Sequence, residues 1–321
     1  MGEVIRHFPK QFSYTPVIQN ALALKRKNSF IVAGMGGSHL AADILQACSP
    51  GLDIIVCADY DFSLIPDQVV ENSLVVLVSY SGNTEEPLSV FHEAEKRKLP
   101  LAVISMGGKL LDLAKEQKIP YVQIPDTGIQ PRSAVGFMFM ALASVAGEAQ
   151  ILQAAAALAE TLDVSGARDQ GKELGKKLAG KIPVVYASSR NAAIAYNWKI
   201  RFNETSKIPA FFNVFPELNH NEMNGFDVTD KTKGLSSNIA FVFLKDRNDH
   251  AQVQKRMEVT ALMYEQRGFL VHVLLAEGST RLHQIFSSLL LADWTSYYLA
   301  LDYHVNPDEV PMVEEFKKRI A

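Results

Sequence analysis

The chain has 321 residues, of which 48% are hydrophobic and 21% charged, with a formal net charge of −3. This length suits two domains of ordinary size, and the composition excludes a mainly disordered chain. The balance of 32 basic and 35 acidic side chains excludes a globally basic surface for nucleic acid or anionic lipid. Two cysteines cannot build a disulfide framework or a four-ligand zinc site, which favours a reducing compartment.

The sequence also argues against secretion and membrane insertion. The first residues, MGEVIRHFPKQF, contain no apolar core of signal-peptide length. The longest nearly apolar run, residues 134–147, is shorter than the roughly 20 residues that span a bilayer. We therefore expect a cytoplasmic protein that does not contact a membrane.

Short apolar runs alternate with longer amphipathic stretches, which predicts an α/β fold with mainly parallel sheets flanked by helices. In the first half, the strand candidates are rich in Val, Ile and Leu with little polar alternation, as strands covered on both faces should be. They are residues 30–33, 74–78, 101–104 and 121–124. A helix is predicted over residues 86–98, because its apolar residues fall near one face.

The second half repeats this plan, so we predict two similar domains, residues 1–150 and residues 151–321. The join falls within residues 146–180, a helix-forming segment that several glycines loosen. Further along, strands and helices are again predicted in alternation: strands 184–187, 239–244 and 271–275, and helices 190–205, 249–267 and 280–300.

A glycine-rich turn, Gly34-Met35-Gly36-Gly37-Ser38, follows the first predicted strand and precedes a helix at residues 39–47. Glycines let a ligand approach the backbone closely, and the helix start offers N–H groups to an anion. Alternatively, this is an ordinary turn in which Ser38 caps the helix. A dinucleotide fingerprint is a poor match, because the third glycine is displaced.

The second predicted strand runs directly into Ser79-Tyr80-Ser81-Gly82-Asn83-Thr84. Three hydroxyls and a glycine at the carboxyl end of a strand suit a phosphate monoester, because they donate several hydrogen bonds without burying a countercharge. Thr84 is alternatively only a helix cap. The matching place in the second half, residues 245–250, has two acids and no serine cluster, so we expect phosphate binding in the first half alone.

These two motifs resemble the sugar isomerase (SIS) domain, which holds phosphosugars through its Ser/Thr loop. Together with the two-domain length, Pro131-Arg132-Ser133 and motifs of the second half, they resemble more specifically the bifunctional phosphoglucose/phosphomannose isomerases, over nearly the whole chain. The resemblance implies two doubly wound SIS-type domains. It also implies a set of phosphate-binding residues, namely Gly37, Ser38, Ser79, Ser81 and Thr84.

Arg132 stands ahead of an apolar helix, where a cation opposes the helix dipole. This position indicates that it faces an anion, and the alternative is a solvated loop arginine. By resemblance, Arg132 stabilises the negative intermediate of the reaction.

Glu204 is predicted near the C-terminal end of a helix, where the dipole tends to raise a carboxyl pKa, as proton abstraction beside a carbonyl requires. The alternative is a surface glutamate paired with Lys207 or Arg201. By resemblance, Glu204 is the catalytic base.

His220 lies in the polar, loop-forming run 216–225. With Glu222 it makes a weak metal pair, since no third ligand has convincing spacing, and a lone loop histidine usually faces solvent. By resemblance, it opens the sugar ring and reaches across a dimer interface. The tail reads as a final amphipathic helix whose lysines favour the dipole. In this helix, Lys317 best matches the family's catalytic lysine, and Lys318 is the alternative assignment.

Taken together, these features predict an aldose–ketose isomerase that interconverts glucose 6-phosphate and fructose 6-phosphate through an enediolate, without metal or cofactor. Acceptance of mannose 6-phosphate stays open. The alternatives are a non-catalytic SIS-domain sensor, the isomerase half of an amidotransferase, and another phosphosugar isomerase. A homodimer with a shared site is expected, and the apolar richness of helix 280–300 suggests burial on two sides.

Overall fold

The computed structural model describes residues 1–320, which form two compact units. The N-terminal unit is His7–Leu162, and the C-terminal unit is residues 1–6 together with residues 163–320. The units divide at Leu162 and not near residue 150, because the helices between these positions pack within the N-terminal unit. The first helix, α1 (Gly2–Arg6), belongs to the C-terminal unit, where the N-terminal amine lies 3.0 Å from a carboxylate oxygen of Asp308.

The N-terminal unit contains a six-stranded sheet in the order β1-β6-β5-β4-β2-β3. Its strands are parallel except β1, which is antiparallel to β6 at the edge. The four predicted strands are confirmed, and β1 and β3 are additional. The strands are β1 (Ile18–Gln19), β2 (Ser29–Ala33), β3 (Asp53–Cys57), β4 (Leu74–Ser79), β5 (Leu101–Ser105) and β6 (Tyr121–Gln123).

Every residue of β4 is buried, as expected for an apolar central strand with helices on both faces. Seven helices flank this sheet or follow it, and the most deeply buried is α6, which is apolar all round. They are α2 (Leu40–Cys48), α3 (Asp67–Asn72), α4 (Glu85–Lys96), α5 (Gly108–Glu116), α6 (Val135–Ala146), α7 (Ala149–Ala156) and α8 (Leu158–Thr161).

The C-terminal unit contains a four-stranded parallel sheet in the order β10-β9-β7-β8. Its strands are β7 (Ile182–Ser188), β8 (Phe211–Phe215), β9 (Ile239–Lys245) and β10 (Leu270–Leu275). In both units the first strand of the parallel set lies between the second and the third. The shared order confirms the predicted pair of similar doubly wound α/β folds.

The C-terminal unit is completed by six further helices, of which α11 is a single turn: α9 (Val164–Leu178), α10 (Ala192–Glu204), α11 (Lys233–Ser236), α12 (Ala251–Gln266), α13 (Arg281–Asp302) and α14 (Pro311–Ile320). Helix α13 packs against α9 and α10, and most of its apolar residues are buried. Packing within the unit therefore explains the apolar richness of α13, which does not indicate a dimer interface.

Glycines of α9 allow the close approach to α13. A Cβ atom on Gly171 would lie 2.6 Å from the Cβ of Trp294 and 2.9 Å from the main-chain nitrogen of Thr295. The glycines of this segment thus serve helix packing, where the sequence suggested only a loosened join. No helix within residues 1–320 has both the length and the apolar character that a bilayer span requires.

Candidate active site

Two loops meet at the carboxyl edge of the N-terminal sheet, between β2 and β4, where the strand order reverses. Open α/β sheets bind ligands at such a point, because the neighbouring loops lead to helices on opposite faces. The hydroxyl of Ser38 accepts a hydrogen bond from the main-chain N–H of Tyr80 at 3.2 Å, which joins the two loops. The helix N-cap of α2 is His39, so the alternative in which Ser38 caps this helix is wrong.

The second loop holds the three predicted hydroxyls close together. Ser79 Oγ lies 2.9 Å from Thr84 Oγ1 and accepts the main-chain N–H of Gly82 at 3.1 Å. Ser81 Oγ accepts the N–H of Asn83 at 3.3 Å. Thr84 occupies the N-cap position of α4 without a side-chain capping bond, so its hydroxyl does not serve the helix. The hydroxyls of Ser79 and Thr84 therefore lie together at the start of a helix, which suits an anion.

The turn between β5 and α5 braces this loop, a contact that the sequence reasoning missed. The N–H of Met106 donates to the carbonyl of Tyr80 at 3.1 Å, and that of Leu110 donates to the carbonyl of Gly82 at 2.9 Å. Gly82 has a positive φ of 71°, and a Cβ there would lie 1.7 Å from the carbonyl oxygen of Gly107. Only glycine fits at this position.

Arg132 lies beside the first loop. It belongs to the 3-10 turn Pro131–Ser133 that leads into α6, and it is only 1% exposed. A Cβ on Gly37 would lie 2.9 Å from the main-chain nitrogen of Arg132, so the two backbones are in close contact. The alternative of a solvated loop arginine is therefore wrong. Arg132 thus places a buried, permanently charged side chain next to the glycine-rich loop, and such a charge can stabilise a negative one.

The corresponding place in the C-terminal sheet, between β7 and β9, is filled by the protein's own carboxylates. Asp246 is fully buried and accepts from Arg281 at 3.1 Å and Arg190 at 3.3 Å. Asp249 accepts from the Ser188 hydroxyl at 2.6 Å, and burial raises the pKa of its carboxyl above the ordinary value. These acids would repel a phosphate.

Glu204 is the last residue of α10 and is half-buried. The ammonium of Lys207 donates to the main-chain carbonyls of Glu204, at 2.6 Å, and of Asn306, at 2.8 Å. Arg201 is fully buried and pairs with Asp293 at 2.6 Å. The lysine thus caps the helix end, and Arg201 pairs with Asp293 rather than with Glu204.

His220 ends the 3-10 turn Glu217–His220, which follows β8, and its side chain is exposed. It lines a cavity of about 510 Å³, whose other lining residues include Asn219, Met263, Tyr264 and Arg267. Lys317 and Lys318 are exposed on α14, and the Lys317 ammonium contacts the Glu314 carboxylate at 2.9 Å.

Within the C-terminal unit, Glu204 and His220 lie at opposite edges of the sheet. Helix α10 leaves the carboxyl end of β7 and leads back to the start of β8, so Glu204 lies at the amino edge. His220 follows the carboxyl end of β8, a strand that spans on the order of 16 Å. These two residues of one chain are not brought together. Among the described residues, no group of three or more His, Cys, Asp or Glu could hold a metal ion.

The fold, with its hydroxyl-rich loop at the strand-order reversal, defines a protein of the sugar isomerase (SIS) domain class. Residues 167–320 match the family model described as the bacterial phospho-glucose isomerase C-terminal SIS domain. A hypothetical protein from Thermus thermophilus shares the fold, with a TM-score of 0.69 and 19% identity over 99% of this chain and 88% of that one.

Curated relatives narrow the class further. The bifunctional phosphoglucose/phosphomannose isomerase of Aquifex aeolicus is 33% identical over 99% of this chain and 97% of its own length. The enzyme of the same name from Thermoplasma acidophilum is 33% identical over 92% of this chain and 90% of its own length. The chain belongs to the family of bifunctional phosphoglucose/phosphomannose isomerases, as the resemblance of its motifs predicted.

Proposed function

We propose that this chain interconverts fructose 6-phosphate with glucose 6-phosphate and mannose 6-phosphate. The observation that carries the proposal is the braced loop Ser79–Thr84 at the strand-order reversal of the N-terminal sheet, in a chain of this family. The main-chain N–H groups and hydroxyls of this region bind the phosphate group, with Gly37, Ser38, Ser79, Ser81 and Thr84 as the binding residues.

The remaining candidate residues carry the chemistry. His220, assisted by Lys317 or by its neighbour Lys318, moves the proton that opens the sugar ring. Glu204 removes the proton from C2 and returns it to C1, and Arg132 stabilises the oxyanion of the enediolate. A return of the proton to either face of C2 would yield glucose 6-phosphate or mannose 6-phosphate. The proton moves within one substrate, so the balance of the reaction needs no oxidant or reductant.

A shared site in a homodimer is part of the proposal. Its support is the separation of Glu204 and His220 at opposite edges of one sheet, because a histidine from a second copy could reach the site that its own chain cannot complete. Mixed dimers of Glu204→Gln and His220→Ala chains should recover one intact site per dimer on co-expression. A fully active monomer, or mixed dimers without activity, would contradict it. A cytoplasmic location stays a prediction from the sequence.

The activity is tested by incubating the purified chain with fructose 6-phosphate or mannose 6-phosphate, without any amine donor, and measuring glucose 6-phosphate through a coupled dehydrogenase. We expect both sugars to be converted. Phosphosugar binding without turnover would support the sensor instead, and turnover that requires an amine donor would support the amidotransferase.

A further inference from the structure

The loop that carries His220 is irregular, and its histidine is exposed. Residues 217–226 form two consecutive 3-10 turns, Glu217–His220 and Glu222–Phe226, with no strand or helix to fix them. A side chain that moves a proton in the reaction must be held in one place, because small displacements cost rate steeply. The position of His220 therefore depends on side-chain contacts made by its neighbours in the loop.

Glu222, two residues after His220, ties the loop to the sheet. One oxygen of its carboxylate accepts a hydrogen bond from the hydroxyl of Tyr186, and the other accepts from the side-chain amide of Asn213. Tyr186 lies on the central strand β7 and Asn213 on its neighbour β8. Both oxygens of one loop carboxylate are thus bound to the two strands beneath it, by charge-assisted hydrogen bonds.

Tyr186 is a rigid donor for this bond. Its side chain is fully buried and packs against rings of the C-terminal core, with centroids 5.3 Å away for Phe241, 5.4 Å for Phe243 and 5.9 Å for Phe215. Such packing leaves the ring one orientation, so the hydroxyl has a fixed position. Burial, with the neighbouring Tyr264 and Glu222, raises the pKa of Tyr186 far above its ordinary value, so the hydroxyl stays protonated and donates.

A second tie holds the other side of the histidine. The side-chain amide of Asn219 donates to the hydroxyl of Thr260 at 2.9 Å, and its oxygen accepts from Arg256 at 3.3 Å, both on α12. The residues at positions −1 and +2 from His220 are therefore both anchored, while the imidazole itself is exposed. This arrangement fixes the backbone of the histidine and leaves its ring accessible.

We propose that Tyr186 is a positioning residue for ring opening, which holds the His220 loop in place through Glu222. The inference rests on the proposed function, in which His220 opens the ring. The phosphate-binding residues lie in the other unit, so loss of this tie should lower kcat for cyclic sugars and leave KM nearly unchanged. Substrates that are already acyclic should not need it.

The test compares fructose 6-phosphate with 5-deoxyfructose 6-phosphate, which cannot form a ring because its C5 hydroxyl is absent and its C6 oxygen is phosphorylated. Tyr186→Phe removes one hydroxyl and keeps the buried ring. We expect kcat to fall about tenfold or more for the cyclic sugar and less than about twofold for the acyclic one. The loss is smaller than that of a proton-transfer group itself, which contributes about 100-fold or more. Glu222→Ala, which removes both acceptor oxygens, should show the same selective loss.

Two further variants make the result interpretable. Tyr303→Phe is the matched control, because it removes a hydroxyl that accepts from the main-chain N–H of Gly180 at 2.7 Å in the same unit, and it should not change the ratio between the two sugars. His220→Ala sets the ratio expected for complete loss of ring opening. Suppose that His220→Ala lowers kcat for the cyclic sugar only. If Tyr186→Phe then lowers kcat for both sugars equally, or for neither, Tyr186 is not a positioning residue. If the unmodified protein converts neither sugar, the proposed function itself is wrong and this inference is overturned with it.

Discussion

Removal of the two hydroxyls Ser81 and Thr84 tests the phosphate loop most sharply. In the structure each hydroxyl makes only one local bond: Thr84 Oγ1 lies 2.9 Å from Ser79 Oγ and does not cap α4, and Ser81 accepts one bond of 3.3 Å on an exposed loop. The double substitution Ser81→Ala and Thr84→Ala should therefore leave the thermal unfolding midpoint within about 4 °C of the parent, a stability change of about 1 kcal/mol.

The expected effect on substrate binding is much larger. A hydrogen bond to a charged group contributes about 1.5–3 kcal/mol, which corresponds to about 10- to 150-fold in affinity for each hydroxyl lost. The two hydroxyls share one ligand, so their effects need not add, and we expect KM for fructose 6-phosphate to rise at least about 50-fold in the double variant. Steady-state kinetics by the coupled assay gives this value directly.

A threonine outside the loop provides the control. Thr161→Ala removes a hydroxyl that bonds a main-chain carbonyl at 3.0 Å in α8 of the same unit, and it should leave KM unchanged. An unaltered KM in the folded double variant would refute the assignment of the phosphate to this loop. The equivalent place in the C-terminal sheet, where Asp246 and Asp249 are buried, would not take over that role.

Two predictions concern stability. Gly171→Ala should lower the unfolding free energy, measured in urea, by about 1–2 kcal/mol, because the methyl group would meet Trp294 at 2.6 Å and overpacking outweighs the gain in helix propensity. The control is Gly234→Ala, whose methyl group meets no atom within 4 Å and which should not lower the unfolding free energy. Equal effects of the two substitutions would contradict the packing argument. Asp249→Asn removes a carboxyl group whose pKa is raised by burial in the folded state. Between the unfolded and folded pKa values, the folded parent binds more protons than the unfolded parent, so the parent loses stability as the pH rises through this interval. The stability of this variant relative to the parent should thus increase as the pH rises above about 4, the ordinary pKa of an aspartate, and a difference that is independent of pH would contradict the raised pKa.

Central strands of both sheets could be predicted from the sequence, whereas three of the four edge strands, β1, β3 and β8, could not. Strands such as β4 and β9 are buried apolar runs, which leave a clear pattern. The edge strands β3 and β8 were missed although four of the five residues in each are hydrophobic, because periodicity alone does not identify so short an apolar run as a strand. The attachment of α1 to the C-terminal unit depends on a long-range contact with α13, which local sequence does not record.

The site divides in the same way. The clustering of hydroxyls after β4 could be predicted, because these residues are neighbours in the sequence. The brace by the β5–α5 turn was not predicted, since Gly107 and Gly108 look like ordinary turn residues until their close approach to Gly82 and Ser81 is known. In the sequence, Tyr186 is recognisable only as part of an apolar strand. Its hydrogen bond to Glu222 could not be predicted, because the two residues are 36 positions apart.

Hydrogen exchange at C2 tests the central claim most directly. Glu204→Gln keeps the size of the side chain at the end of α10 and removes the proton acceptor. In deuterated water, the unmodified protein should incorporate deuterium at C2 of glucose 6-phosphate during turnover, and the variant should lose both exchange and isomerisation by about 100-fold or more. Exchange at the unmodified rate in the folded variant would show that another group removes the proton and that Glu204 is not the base.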